Sequence, residues 1–223
     1  MKHGILVAWR KHYCILTLWL GVLIATAASP VNAASDDPDT GSAPTLLVMG
    51  DSLSAAYNIE REAGWVALLE ARLPDDATVV NASISGETTS GGAQRIDDLL
   101  RQHAPDIVLL ELGGNDGLRG LPPQQMQRNL ASMIEASQAA DAEVLLLGID
   151  IPPNYGEAYR EAFTNVYHAL ADKYDVALVP FLLEGVATED DLMQDDGIHP
   201  TAEAQPIILD TVWEALYDTL LPN

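Results

Sequence analysis

The sequence predicts an α/β fold built on a parallel sheet that is covered on both faces. Three observations predict it: five short apolar runs of strand length, a stretch of helical periodicity after each of them, and short connections between them.

Thr45 to Met49 is the first strand, and Gly50 gives the sharp exit it needs. Trp65, Leu68, Leu69 and Leu73 then fall at helical spacing. Thr78 to Ala82, β-branched and apolar, is the second strand, and Ala93, Ile96, Leu99 and Leu100 give the next helical face. Asp106 to Leu112 is the third strand and the most continuous. Pro122 and Pro123 open a helix, where first-turn amides have no intrahelical partner to lose; its inner face is Met126, Leu130, Met133, Ile134 and Ser137. Glu143 to Ile149 is the fourth strand, followed by a helix lined by Tyr159, Phe163, Val166, Tyr167 and Leu170. Val176 to Val179 is a short fifth strand. From Ala204 the apolar residues recur at Ile207, Ile208, Val212, Ala215 and Leu216, and the regular helix is expected to start near Pro206. Five strands in this alternation suit the flavodoxin-like order 2-1-3-4-5, a three-layer sandwich. No internal repeat, low-complexity segment or second domain is visible, so residues 44–223 are expected to form a single domain.

The first residues follow a different pattern. Lys2, Arg10 and Lys11 precede an apolar run from Cys14 to Ala28 that leads into Pro30-Val31-Asn32-Ala33, the layout of a cleaved signal peptide over residues 1–33. The run is short of the roughly 20 apolar residues needed to span a bilayer. No stable membrane anchor is therefore expected after cleavage, and the protein is expected to be periplasmic or secreted. Residues 34–43, polar and acidic, read as a loose mature N-terminus. Cys14 is the only cysteine and leaves with the signal, which removes any disulfide, thiol nucleophile or cysteine metal site. Cleavage takes three of the eleven basic residues and none of the 33 acids, moving the net charge from −22 to −25. Such a surface repels nucleic acid and anionic membranes, so neither is an expected partner. It fits an ordinary acidic secreted protein, or one adapted to high salt, where screening removes self-repulsion.

Candidate chemistry gathers where the first three strands end. Ser52 follows the first strand, at the edge where open parallel sheets bind ligands. Alone, a turn serine more often bonds nearby backbone. After the second strand comes the loop containing Gly86, and after the third Gly113-Gly114-Asn115-Asp116. A 2-1-3 strand order puts Ser52 between Gly86 and Asn115. Acyl transfer from an ester develops negative charge on the carbonyl oxygen, and preorganised donors aimed there stabilise the transition state. The backbone N–H groups of Ser52 and Gly86, with the Asn115 side-chain amide, can supply three. The missing base lies in Asp195-Asp196-Gly197-Ile198-His199-Pro200. The His199 imidazole can take the serine proton, and Asp196, three residues earlier across Gly197, can fix its tautomer. His103 and His168 fall on predicted helices and are expected to be solvated or packed. One His–Asp pair is thin for a metal site, so no metal and no cofactor are expected.

The order Ser…Asp…His and the absent second glycine of G-x-S-x-G separate these residues from the usual α/β-hydrolase elbow. Gly50-Asp51-Ser52-Leu53, the Gly86 loop, Gly113-Gly114-Asn115-Asp116 and Asp196-Gly197-Ile198-His199 resemble, in order, the hallmark blocks of the GDSL or SGNH hydrolase family. The likeness spans almost the whole mature chain. Asn81-Ala82-Ser83-Ile84-Ser85-Gly86, Asn115-Asp116-Gly117-Leu118-Arg119-Gly120 and Met193 to Pro200 look closest to the bacterial periplasmic branch described as acyl-CoA thioesterase I, lysophospholipase and arylesterase. The resemblance implies nucleophile Ser52, base His199, orienting Asp196 and oxyanion donors Ser52, Gly86 and Asn115, acting on a small-molecule ester or thioester. In that branch the loop after the fourth strand lines the acyl site; by position, Leu118 to Leu121 after the third strand and Ile151 to Tyr155 after the fourth are expected to border it, with Leu118, Ile151 and Tyr155 as the expected substrate-binding residues. Asp150, beside that site, is expected to disfavour an anionic coenzyme A head group, so neutral aryl esters of short to medium chain are the expected preference. A monomer is expected. An envelope acyltransferase, delivering the acyl group to a sugar hydroxyl, would use the same triad; a binding protein with an idle triad would also carry the blocks.

Overall fold

A strand buried on both faces is apolar at consecutive positions rather than alternate ones. Leu46-Leu47-Val48-Met49 and Ile107-Val108-Leu109-Leu110 meet that condition, and in the computed structural model all eight side chains are buried. The structure describes residues 44–73 and 77–219; the signal-peptide and loose N-terminal segments expected over 1–33 and 34–43 lie outside the described residues. Five parallel strands, β1 (Thr45–Gly50), β2 (Thr78–Asn81), β3 (Ile107–Glu111), β4 (Glu143–Leu147) and β5 (Ala177–Val179), pair in the order β2-β1-β3-β4-β5. This is the predicted order, with strand ends shifted by one or two residues.

Among the described residues six α-helices complete the layers: α1 (Trp65–Arg72), α2 (Thr89–His103), α3 (Gly114–Leu118), α4 (Pro123–Ala139), α5 (Glu157–Tyr174) and α6 (Gln205–Thr219). α1 packs with α6, while α4 packs with both α2 and α5. On α4 the stripe Met126, Leu130, Met133 and Ile134 is fully buried. Burial of each such side chain contributes about 1.5–3 kcal/mol. On α6 the inner face is Ile208, Leu209, Val212 and Leu216. Ile207, expected on that face, is 38% exposed. Successive helix residues point about 100° apart, so Ile207 turns outward when Ile208 turns in. No helix among the described residues is long and apolar enough to cross a membrane.

Register decides where the site lies. Val48 of β1 stands opposite Asn81 on one side and Leu109 on the other, and Gly50 stands opposite Glu111. The three strands therefore end nearly level, and the loops that follow them rise side by side.

Candidate active site

Ser52 leaves β1 on a tight turn. The Ala55 N–H donates to Asp51 O at 3.0 Å and the Tyr57 N–H to Ser52 O at 3.3 Å. The turn is braced from beneath by Glu111, whose Oε2 accepts from the Asp51 N–H at 3.1 Å and from the Ser54 hydroxyl at 2.8 Å. That approach explains Gly50: a Cβ there would stand 2.6 Å from Glu111 Oε2. Glu111 is fully buried and its Oε1 has no hydrogen-bond partner among the described residues. Burial, then the neighbouring Asp51 charge, push its carboxyl well above the ordinary range. Burial also raises Asp51 to about 6, against hydrogen bonds from the Leu53 N–H and the Asn115 amide that favour its charged form.

The loops after β2 and β3 are keyed to the same turn. Asn81 Nδ2 donates to Ser54 O at 2.8 Å. Gly86 adopts φ +81°, a conformation open to glycine, and its loop is exposed. Asn115 lies in the first turn of α3, and its Nδ2 donates to Asp51 Oδ2 at 2.9 Å. The next residue, Asp116, is buried and accepts from the Thr89 N–H at 2.8 Å and the Thr89 hydroxyl at 2.6 Å. A carboxylate on the first amide of α2 satisfies a donor that the helix itself cannot. Asp116 thereby fixes the start of α2, and with it the Gly86 loop, relative to Asn115. Arg119 adds a bond to Gly86 O at 2.9 Å.

The last parts arrive from the far end of the chain. His199 Nε2 lies 2.8 Å from Ser52 Oγ, and Nδ1 lies 2.7 Å from Asp196 Oδ2. Asp196 Oδ1 accepts from the Ile198 and His199 N–H groups at 2.9 and 3.0 Å. Burial works against the charged Asp196, but the bonds from the His199 N–H and ring and from the Ile198 N–H outweigh it and lower the carboxyl to about 2. An ionised Asp196 makes Nδ1 the proton-bearing nitrogen and leaves Nε2 to accept from the Ser52 hydroxyl. The Tyr57 ring covers the imidazole, with centroids 4.2 Å apart.

These groups open on a cavity of about 690 Å³ lined by Ser52, Gly86, Asn115 and His199, and by a mostly apolar wall. The family profile of GDSL-like lipases and acylhydrolases matches residues 48–206. The chain belongs to that family. Within it, the chain is 56% identical over 177 residues to esterase TesA of Pseudomonas aeruginosa, covering 78% of this chain and 88% of the relative. It is 51% identical over 168 residues to the Escherichia coli protein named thioesterase 1/protease 1/lysophospholipase L1, covering 75% and 81%. Among solved structures, the psychrotrophic esterase EstA from Pseudoalteromonas sp., inhibited by monoethylphosphonate, superposes with a TM-score of 0.77 at 43% identity, covering 80% of this chain and all of that one. The protein is accordingly an enzyme, a hydrolase of the GDSL-like family.

Of the three expected substrate-binding residues, Leu118 and Ile151 line the cavity and Tyr155 does not. The Tyr155 hydroxyl donates to Leu118 O at 2.7 Å, so its ring braces the loop from outside. Asp150 lines the cavity, but it is not the bare acid expected: the Arg160 side chain grips it through two of its nitrogens, Nε at 3.2 Å from Oδ1 and Nη2 on Oδ2. The pair is formally neutral, so like-charge repulsion of coenzyme A loses its basis. A second wall, built from Phe181, Leu183, Ala187 and Met193 after β5, carries no motif that spacing reveals. His103 ends α2 and His168 is exposed on α5.

Proposed function

We propose that the protein is a serine esterase that hydrolyses carboxylic esters, and acyl thioesters or lysophospholipids, through an acyl-enzyme on Ser52. In the first half-reaction the Ser52 oxygen adds to the acyl carbonyl as His199 Nε2 takes its proton. Asp196 holds the ring and stabilises the imidazolium. The oxyanion meets the Ser52 and Gly86 N–H groups and the Asn115 amide; the second amide proton of Asn115 remains after the first is given to Asp51. Collapse returns the proton from His199 to the leaving alcohol or thiol. Water then repeats the sequence with His199 as base, releasing the acid and free Ser52.

The observation that carries this reading is the continuous chain Ser52 Oγ, His199 Nε2, His199 Nδ1 and Asp196 Oδ2, with spacings of 2.8 and 2.7 Å, at the mouth of an apolar cavity. That a relative is inhibited by a phosphonate, a tetrahedral mimic of the acyl centre, supports it. Apolar lining favours a neutral acyl or aryl group at roughly 0.8 kcal/mol per buried CH₂. The protein is proposed to act as an exported monomer, in line with the charged start and apolar run of residues 1–33. A panel of aryl esters, acyl-CoA thioesters and lysophospholipid across chain lengths tests the reading. Short- to medium-chain aryl esters are expected to give the highest kcat/KM. Inactivity on every activated ester would overturn it, and turnover only with an added sugar acceptor would favour acyl transfer.

A further inference from the structure

We propose that Gln194 is a positioning residue that sets the gap between Ser52 and His199, by bracing the loop that carries the base against the turn that carries the nucleophile. The proposal rests on the triad reading above.

Asp196 and His199 sit on no helix or strand. Their loop is closed by a bridge between Met193 and Pro200, by the Gln194 N–H donating to His199 O at 2.8 Å, and by the Gly197 N–H donating to Gln194 O at 2.8 Å. Those bonds shape the loop internally. The Gln194 side chain reaches across to the turn. Its Nε2 donates to Tyr57 O and to Pro200 O, each at 3.0 Å, and its Oε1 accepts from Asn58 Nδ2 at 2.9 Å. The amide thus bonds both banks, with its carbonyl on one partner and its two N–H groups on the others. The far bank is anchored to the nucleophile, because the Tyr57 N–H donates to Ser52 O at 3.3 Å and the Tyr57 ring lies over His199.

Only an amide of this length satisfies the geometry. Glutamate would set a carboxylate against two carbonyl oxygens, and methionine fills the same space without donors or a strong acceptor. Proton transfer from Ser52 to His199 depends on their separation, and a misplacement of about 1 Å costs on the order of 10²-fold in rate. Substrate binding depends on the cavity walls, so the effect of Gln194 belongs in kcat.

The test compares Gln194→Met, Asn58→Ala and the double variant on a neutral aryl ester. It also follows phosphonylation of Ser52 by an organophosphonate probe. Gln194→Met is expected to lower kcat by about 10- to 100-fold with KM within about twofold, and to slow phosphonylation by the same factor while the melting temperature holds. Asn58→Ala removes one bond of three and is expected to cost less, and to add little in the Gln194→Met background. A Gln194→Met enzyme with parental kcat, a loss confined to KM, or strictly additive losses would overturn the proposal. Should Gln194→Met fail to fold, Asn58→Ala, on an exposed residue, decides alone: parental kcat and phosphonylation rate overturn it. Failure of the triad reading would look different, as activity surviving in Ser52→Ala.

Discussion

The Asn115 amide donates to Asp51 Oδ2 at 2.9 Å, so the side chain facing the cavity is held by the residue that precedes Ser52. One amide proton is fixed on Asp51, which leaves the second for the oxyanion of the proposed mechanism. Asn115→Ala is expected to lower kcat by about 10²–10³-fold with little change in KM, measured by steady-state hydrolysis of an aryl ester. Normal kcat with a raised KM would make Asn115 a binding residue only.

Asp196 and Asp195 are adjacent carboxylates, yet only Asp196 bonds the imidazole. Asp196→Asn is expected to cost about 10³–10⁴-fold in kcat through loss of the correct tautomer, while Asp195→Asn stays near parental activity. The pH dependence follows from the lowered Asp196 carboxyl, at about 2 against an ordinary 3.8. A depressed folded-state pKa gives stability that is present above the unfolded value and is lost as pH falls through the folded one. Between those values the parent is expected to lose melting temperature more steeply than Asp196→Asn. Equal slopes would place the carboxylate's stabilisation elsewhere.

Glu111 and Asp51 give the opposite sign. Both carboxyls are raised, chiefly by burial. The folded state then holds protons that the unfolded chain releases, so their contribution is complete below the ordinary carboxylate range and is lost as pH rises through the raised values. Glu111→Gln keeps an acceptor for the Asp51 N–H and the Ser54 hydroxyl and removes one of the two charges. Melting temperatures followed upward from the ordinary carboxylate range, past the Asp51 value of about 6, are expected to fall in the parent and to flatten in Glu111→Gln. Parallel profiles would show that Glu111 does not titrate in that range.

The Asp150–Arg160 pair sets a prediction about substrate. Asp150→Asn keeps an oxygen for the Ile151 N–H, which now donates to Asp150 Oδ1 at 2.7 Å, and leaves the guanidinium uncompensated in the cavity wall. Acyl-CoA is expected to gain about two- to fivefold in kcat/KM relative to an aryl ester of the same chain, the scale of a partly exposed ion pair. An unchanged ratio would mean that the coenzyme A phosphates bind away from Arg160.

The strands were legible because parallel strands covered on both faces must be continuous apolar runs, and Leu46 to Met49 and Ile107 to Leu110 are such runs. α3 was not, since Gly113-Gly114-Asn115-Asp116 reads as a turn and its single helical stretch has no periodicity to detect. Ser52, Asp196 and His199 could be singled out because their residue types state a chemistry and the strand order states a neighbourhood, and the structure brings the three within hydrogen-bonding distance. Arg160 and Gln194 were missed for the converse reason: Arg160 meets Asp150 from the far side of a loop, and Gln194 meets Asn58 across 136 positions. Neither contact leaves a spacing in the sequence. Tyr155 was placed in the cavity by its position in the chain, which does not say which way a ring points. Glu111 carried an overlooked signal, as the one acid inside a run that had to be buried on both faces.

Covalent labelling of Ser52 is the most direct measurement of all. An organophosphonate serine probe is expected to modify the parent at Ser52, mapped by peptide mass spectrometry, and to abolish aryl ester hydrolysis in proportion. Ser52→Ala is expected to fold, to take no label and to lose nearly all turnover. Label appearing on another serine of the Ser52→Ala protein, or hydrolysis that survives the substitution, would contradict a nucleophilic Ser52.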